Sequence, residues 1–269
     1  MIIDFHTHVF PEKIAAKTIA YLSEKGGVPP FSDGTADGLL KRMEEAGVDI
    51  SVTLPVLTSP TQFDSVNRFA VEINRRFENE KRRLISFAGI HPACEDIAGK
   101  MRFIKESGFL GVKIHPDYQG TFVDDAGYIE IVRRAKEHGL IVVTHAGYDF
   151  GYPDSPIRCT PDRLLRLLES VPYGKIVAAH YGGTDMHEEV LEKLCGQDIY
   201  FDTAYVLRFL GKEMFEKILK KHGKGKILFA TDSPWSSVEG DVKIIKSFNL
   251  GTDAEDKIFS RNAMALLGL

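Results

Sequence analysis

The stretch Ile2–His8, IIDFHTH, starts on two apolar residues and then places Asp4, His6 and His8 on alternate positions. Alternate side chains of a β-strand share a face, so all three are expected on one side of a first strand. Two adjacent imidazoles repel when protonated and bury poorly without partners. Neutral imidazoles sharing a divalent cation avoid both problems. A polar strand end with two solvated histidines is the plainer reading of so short a pattern, and the rest of the chain has to decide between them.

Seven more short, β-rich apolar runs follow: Ile50–Leu54, Leu84–Ile90, Leu110–His115, Leu140–His145, Lys175–His180, Ile199–Asp202 and Lys226–Thr231. Amphipathic segments such as TADGLLKRMEEAG, DDAGYIEIVRRAKEHG, TPDRLLRLLES and MHEEVLEKLCG separate them, and several helices are expected to stop at a glycine, as at Gly47, Gly139 and Gly223. Strands alternating with helices imply right-handed βαβ units and a parallel sheet. Eight strands fit an α/β (β/α)8 TIM barrel spanning residues 1–269 as a single domain, with an open doubly wound sheet as the rival. Residues 9–36 and 147–161 exceed ordinary βα loops and are expected to cover one face, while residues 252–269 read as a closing helix.

The 269 residues are 43% hydrophobic and 27% charged with a net charge of -4, which describes a soluble globular enzyme-sized chain. Nothing resembles a nucleic-acid footprint: the basic runs Arg75–Arg76, Lys81–Arg83 and Lys220–Lys226 are short and read as solvated helix faces. Cys94, Cys159 and Cys195 are scattered, without metal or disulfide spacing, in keeping with a reducing cytoplasm. No signal peptide or membrane-spanning run is read. The expected partner is a small-molecule substrate, with no nucleic acid and no membrane; a homo-oligomer is left open.

Four of the strand candidates end on a metal-binding side chain: His6 and His8 on the first, His145 in IVVTHAG on the fifth, His180 in IVAAHYGG on the sixth and Asp232 in ILFATDSPW on the eighth. The alternation Ile141, Val143, His145, and likewise Ile176, Ala178, His180 and Leu228, Ala230, Asp232, predicts inward-pointing rows that turn polar at the carboxyl end. Active sites of a barrel lie on that rim. Closure also makes strands one and eight neighbours, so His6 and Asp232 can meet, whereas an open sheet would part them. One such residue is commonly satisfied by nearby backbone. Five at the same end of four strands predict a metal site.

DFHTH, THAG, AHYGG and TDSPW together resemble the amidohydrolase superfamily, most closely the amidohydrolase-related branch that includes aminocarboxymuconate semialdehyde decarboxylase. The resemblance spans essentially the whole chain. It implies that His6, His8, His145 and Asp232 bind one divalent ion, zinc-like, and that His180 contacts substrate or the attacking water, and a second metal if one is bound. In GVKIHPDYQG, Lys113 and His115 share a face; a strand-four lysine is carbamylated in binuclear members, so a second metal would follow if Lys113 were. The unmodified lysine is the preferred reading. His91, His115, Arg158, Tyr181 and Trp235 are pocket candidates, with Tyr118, Tyr148, Tyr152, Tyr205 and Arg208 on the same loops. His138 and His222 read as cations at helix ends, His187 as an exposed first-turn residue, and Asp4 as a support for a ligand histidine.

Three histidines and a carboxylate leave an open coordination position, the mark of a catalytic metal site. The expected function is a metal-dependent hydrolase of a small polar or cyclic substrate, with Asp232 as proton acceptor from a metal-activated water and His180 stabilising substrate oxygen. The alternative is a metal-dependent non-oxidative decarboxylase, a carboxy-lyase on the same scaffold. A catalytically silent ligand-binding barrel comes third.

Overall fold

Among the described residues, short buried runs form nine strand segments: β1 (Ile3–Thr7), β2 (Ile50–Thr53), β3 (Arg83–Ser86), β4 (Ala88–Gly89), β5 (Gly111–Ile114), β6 (Ile141–Thr144), β7 (Ile176–Ala178), β8 (Tyr200–Asp202) and β9 (Ile227–Leu228). The computed structural model describes residues 1–78, 80 and 83–269, so Lys81 and Arg82 of the basic run Lys81–Arg83 lie outside the described residues. All strand pairings are parallel, in the order β1-β2-β3 and β4-β5-β6-β7-β8-β9. Only Phe87 separates β3 from β4, and its N–H donates to the Thr53 carbonyl (2.9–3.0 Å is the normal range; here 3.0 Å), so the two are halves of one barrel strand.

The far edges also meet. Phe5 N–H donates to the Phe229 carbonyl at 2.9 Å, and Asp232 N–H to that of His6 at 2.8 Å. Thr7 forms a parallel bridge with Ser233. The eight strands therefore close into the (β/α)8 barrel.

Ile3, Phe5, Val52, Leu54, Ile85, Phe87, Ile141, Val143, Val177, Leu228 and Ala230 fill its interior. Phe87 meets Phe5 edge-on at 6.0 Å, in space that Gly111 leaves free: a Cβ there would lie 2.5 Å from the Phe87 ring. Ala263, Leu266 and Leu267 of the last helix pack against the strand starts and plug that end. The alternate residues Val112, Ile114, Val142, Ile176, Ala178, Phe201 and Phe229 lie outside, under the helices. These helices carry the expected signals. Thr35 caps Ala36–Ala46 by accepting from Gly38 N–H, and Gly47 ends it at φ 72°. Gly223 instead leaves its helix extended, at φ 94° and ψ 138°.

One expected inward row, and the expectation that Asp4, His6 and His8 share a face, need correction. Ile176 and Ala178 face the helices, and it is Val177 that points inward. His180 is reached only after β7 has ended, at φ 58° in a tight 3-10 turn. In β1, Ile3 and Phe5 are the interior residues, so strict alternation would send His6 outward with Asp4. A register shift between Asp4 and Thr7 returns His6 to the interior. The row of β6 is regular, as expected, while Asp232 ends the β9 row at φ 64°. The first long segment also contains a full helix, Glu12–Gly26. Its Lys25 ammonium sits 3.5 Å from the centre of the Tyr152 ring, joining it to the second.

Candidate metal centre

Protonation of the histidines follows from what each ring nitrogen faces, because a backbone carbonyl or a carboxylate can only accept. His8 Nδ1 lies 2.8 Å from the Leu54 carbonyl. His6 Nδ1 lies 2.9 Å from Asp202 Oδ2, whose other oxygen accepts from the His180 and Ala204 N–H groups. Both Nδ1 atoms therefore carry the proton. Each ring turns its Nε2 toward Asp232 Oδ1, at 3.3 Å from His6 and 3.0 Å from His8. These three atoms lie close enough to hold one ion. The donor chemistry fits a divalent metal with open positions.

Below this triad the barrel interior is polar. Lys113 Nζ, fully buried, donates to His6 Nε2 at 3.1 Å. Burial pushes its ammonium down to about 8, against the pull of Asp202 and Asp232. An ion on His6 competes with Lys113 for the same lone pair. Burial, Lys113 and the neighbouring rings hold His6 well below the usual imidazole range, so it stays neutral. Burial alone would raise the Asp232 carboxyl, yet its neighbours, His8 first and Lys113 among them, hold it below the usual carboxylate range. Asp4, on the outer side, accepts from Thr231 N–H at 3.0 Å and its hydroxyl at 2.6 Å, bracing the strand end that carries Asp232.

The next ring along continues the same logic. His180 Nδ1–H donates to the Ala204 carbonyl at 3.0 Å, so its Nε2 accepts from His145 Nδ1–H at 2.9 Å. His145 Nε2 is thereby a lone pair, buried and without a hydrogen-bond partner. It falls in a second group, with His115 and Asp149, rather than with the triad. Aromatic rings on the loops after β5, β6 and β8 stand around both groups. Tyr118 meets His115 at 4.2 Å and Tyr152 at 5.2 Å; Phe150 meets Tyr148 at 5.3 Å and Tyr205 at 5.7 Å. The Arg208 guanidinium lies 4.9 Å from the Tyr205 ring centre and donates to the Trp235 carbonyl.

The family model described as Amidohydrolase matches residues 3–269. The chain belongs to the amidohydrolase family. Its fold is similar to solved decarboxylases. One is 5-carboxyvanillate decarboxylase from Novosphingobium aromaticivorans with manganese and 4-hydroxy-3-methoxy-5-nitrobenzoic acid, at 15% identity over 100% of this chain and 96% of that one, TM-score 0.73. Another is 2,6-dihydroxybenzoate decarboxylase from Rhizobium, at 14% identity over 99% and 98%, TM-score 0.70. A third is a dihydroxybenzoic acid decarboxylase from Polaromonas with manganese and 2-nitroresorcinol, at 15% identity over 100% and 97%, TM-score 0.71. No curated protein is significantly similar in sequence.

Within this amidohydrolase the pocket candidates separate. His115 belongs to the second group, and Arg158 lies 3.6 Å from Asp117, itself 3.8 Å from His145 Nε2. Trp235 stands at the rim, half-buried. His91 is buried with Nδ1 accepting from Ala93 N–H at 3.1 Å, and it joins neither group. Tyr181 is no pocket residue: it is stacked on Phe215 at 4.8 Å beneath the helices, because the turn at His180 rotates it outward. His187 is half-buried, with Nε2 3.2 Å from the His180 carbonyl, instead of exposed. Asp202, Asp117 and Asp149 went unread in the sequence. Asp202 follows the short apolar run Ile199–Phe201 and resembles any polar strand end. The other two lie on loops, where no alternation announces a side chain's direction. Among the described residues no helix is long and apolar enough to cross a membrane.

Proposed function

We propose that this chain is a metal-dependent, non-oxidative carboxy-lyase acting on a small planar carboxylic acid. His6, His8 and Asp232 hold the ion, a zinc- or manganese-like divalent cation. When bound, it supplies a positive point for docking the substrate carboxylate and for stabilising charge that spreads into the carbon framework.

The observation that carries this reading over hydrolysis is the state of His180. A hydrolase would use it to stabilise the oxygen of a tetrahedral species, and that requires an N–H aimed at substrate. Both ring nitrogens of His180 are engaged, one with Ala204 and one with His145. Loss of carbon dioxide makes no such demand. It needs a carboxylate held in a water-poor site, and one proton delivered to the carbon that carried it. Asp232, ionised at rest, takes up that proton from solvent and returns it to carbon as carbon dioxide leaves. One proton is consumed per turnover. The surrounding tyrosine and phenylalanine rings suit a flat substrate, and the decarboxylases that share the scaffold act on hydroxybenzoic acids.

The test is product analysis after reconstitution with Mn2+ or Zn2+ and a panel of hydroxybenzoic acids, lactones and amides. Release of carbon dioxide with solvent deuterium on the product carbon is expected. Oxygen from labelled water in a new acid or alcohol would instead establish hydrolysis.

A further inference from the structure

Residues 147–159, which follow β6, form a loop closed at its base and loose at its middle. Gly147 N–H donates to the Cys159 carbonyl at 2.9 Å and Tyr148 N–H to that of Thr184 at 2.9 Å, while the Arg158 carbonyl accepts from Val123 N–H at 3.0 Å. Ends that meet in this way make a compact Ω-loop, a form that often carries function. Between its ends the chain bonds only to itself. Gly151 N–H donates to Asp149 Oδ1, Tyr152 N–H to the Asp149 carbonyl and Ser155 N–H to the Tyr152 carbonyl. Among the described residues no hydrogen bond ties 150–157 to anything outside the loop.

Side-chain packing holds the middle, and its outermost contact is a cation. Lys25, in the last turn of helix Glu12–Gly26, sets its ammonium 3.5 Å from the centre of the Tyr152 ring and 5.4 Å from that of Tyr118. Gly151 lies against the same pair: a Cβ built there would sit 3.7 Å from the Tyr118 hydroxyl and 3.8 Å from Lys25 Cε. Tyr152 meets Tyr118 and Tyr118 meets His115, so this clasp leads down to the rings of the site. The helix follows β1 and the loop follows β6. With β3 and β4 counted as one, these are the first and fifth of eight strands, opposite each other in the ring. A contact between the segments that follow them reaches across the mouth in which the metal centre lies. We propose that residues 149–157 are a lid over that centre and that Lys25 is its latch, a positioning residue acting through the Tyr152 and Tyr118 rings. An ammonium over aromatic faces shifts an equilibrium by about 2- to 30-fold, which biases a lid without freezing it. Opening admits substrate, and closure keeps the mouth poor in water. The inference is independent of the reaction assigned above, because any substrate entering the mouth meets the same lid.

Two measurements test it, and neither needs metal or turnover. Hydrogen exchange read by mass spectrometry reports the opening of 149–157. Diethyl pyrocarbonate, which acylates accessible imidazoles, reports entry when its adduct on His8 is counted against that on His138, at the end of helix Ala126–His138. Lys25→Met keeps an apolar stem and removes the charge. It should speed both by about 2- to 30-fold, with Tm and the exchange of β5–β7 unchanged, and Lys25→Arg should restore wild-type rates. In a Tyr152→Leu background Lys25→Met should add less than it does to wild type. Unchanged exchange in Lys25→Met, or an equal effect in both backgrounds, overturns the latch. Faster exchange in 149–157 with His8 no more reactive than in wild type overturns the lid. Faster exchange spread through the strands overturns both, because it marks a general loss of stability.

Discussion

At the scale of single residues, the geometry assigns tautomers, and tautomers can be tested. Asp202 accepts from His6 Nδ1 and so keeps the ring proton off His6 Nε2, the atom that faces Lys113 and Asp232. In Asp202→Asn the amide NH2 turns toward His6, because the remaining oxygen is held by the two backbone N–H groups. The ring is driven toward the tautomer that blocks its own ligand atom. Metal affinity should fall about 10- to 100-fold, the usual cost of losing such a support, with the fold intact. A chelator-competition titration giving an unchanged Kd would remove Asp202 from this role. His222 makes a second case, clear of the metal ligands. It is no helix-end cation: it stacks on Phe201 at 4.1 Å, and burial lowers it from 6.5 to about 4 despite its bond to the Ile199 carbonyl. Between those values the unfolded chain binds a proton there that the folded chain refuses, so stability is present above pH 6.5 and is lost as pH falls toward 4. In His222→Gln, denaturant melts across that window should show a shallower dependence on pH than wild type; an equal slope would exonerate His222.

At the scale of elements, the loops that leave adjacent strands are locked to one another. Gly147, after β6, bridges Thr184, after β7, and a Cβ at Gly147 would lie 2.1 Å from the Thr184 nitrogen. Gly147 also sits at φ 83°, where side chains are strained. Gly147→Ala should cost at least about 1–3 kcal/mol, the usual range for forced overpacking. It should also disturb the His145–His180 pair; an unchanged midpoint in urea would count against this bridge. The same elements show what was legible in the sequence. Strand count, helix positions and the rim location of His6, His8, His180 and Asp232 follow from alternation and capping, which are local. The actual facing of His6 and His180 depends on a bulge and a left-handed turn, and neither leaves a mark in the order of apolar and polar residues. The route of His145 to Asp117 and Asp149 depends on how two loops meet, which is information between elements.

At the scale of the whole molecule, chemistry and stability occupy opposite ends of the barrel. Leu267, 6% exposed, belongs to the plug beneath the strand starts. Leu267→Ala should destabilise by about 2–5 kcal/mol and leave the number of bound ions unchanged. Loss of metal alongside the lowered Tm, measured well below the transition, would show that the two ends are not separable. The closing seam between β1 and the end of β9 has a further consequence, in time. His8 and Asp232 meet across it although 224 positions part them in the chain. At roughly 5–20 residues per second, synthesis takes about 10–45 s to get from one to the other. Throughout that interval the two histidines are made but their carboxylate is not. Until Asp232 has been made the nascent chain cannot assemble the candidate triad, so an ion bound before then would have to be held by the two histidines alone.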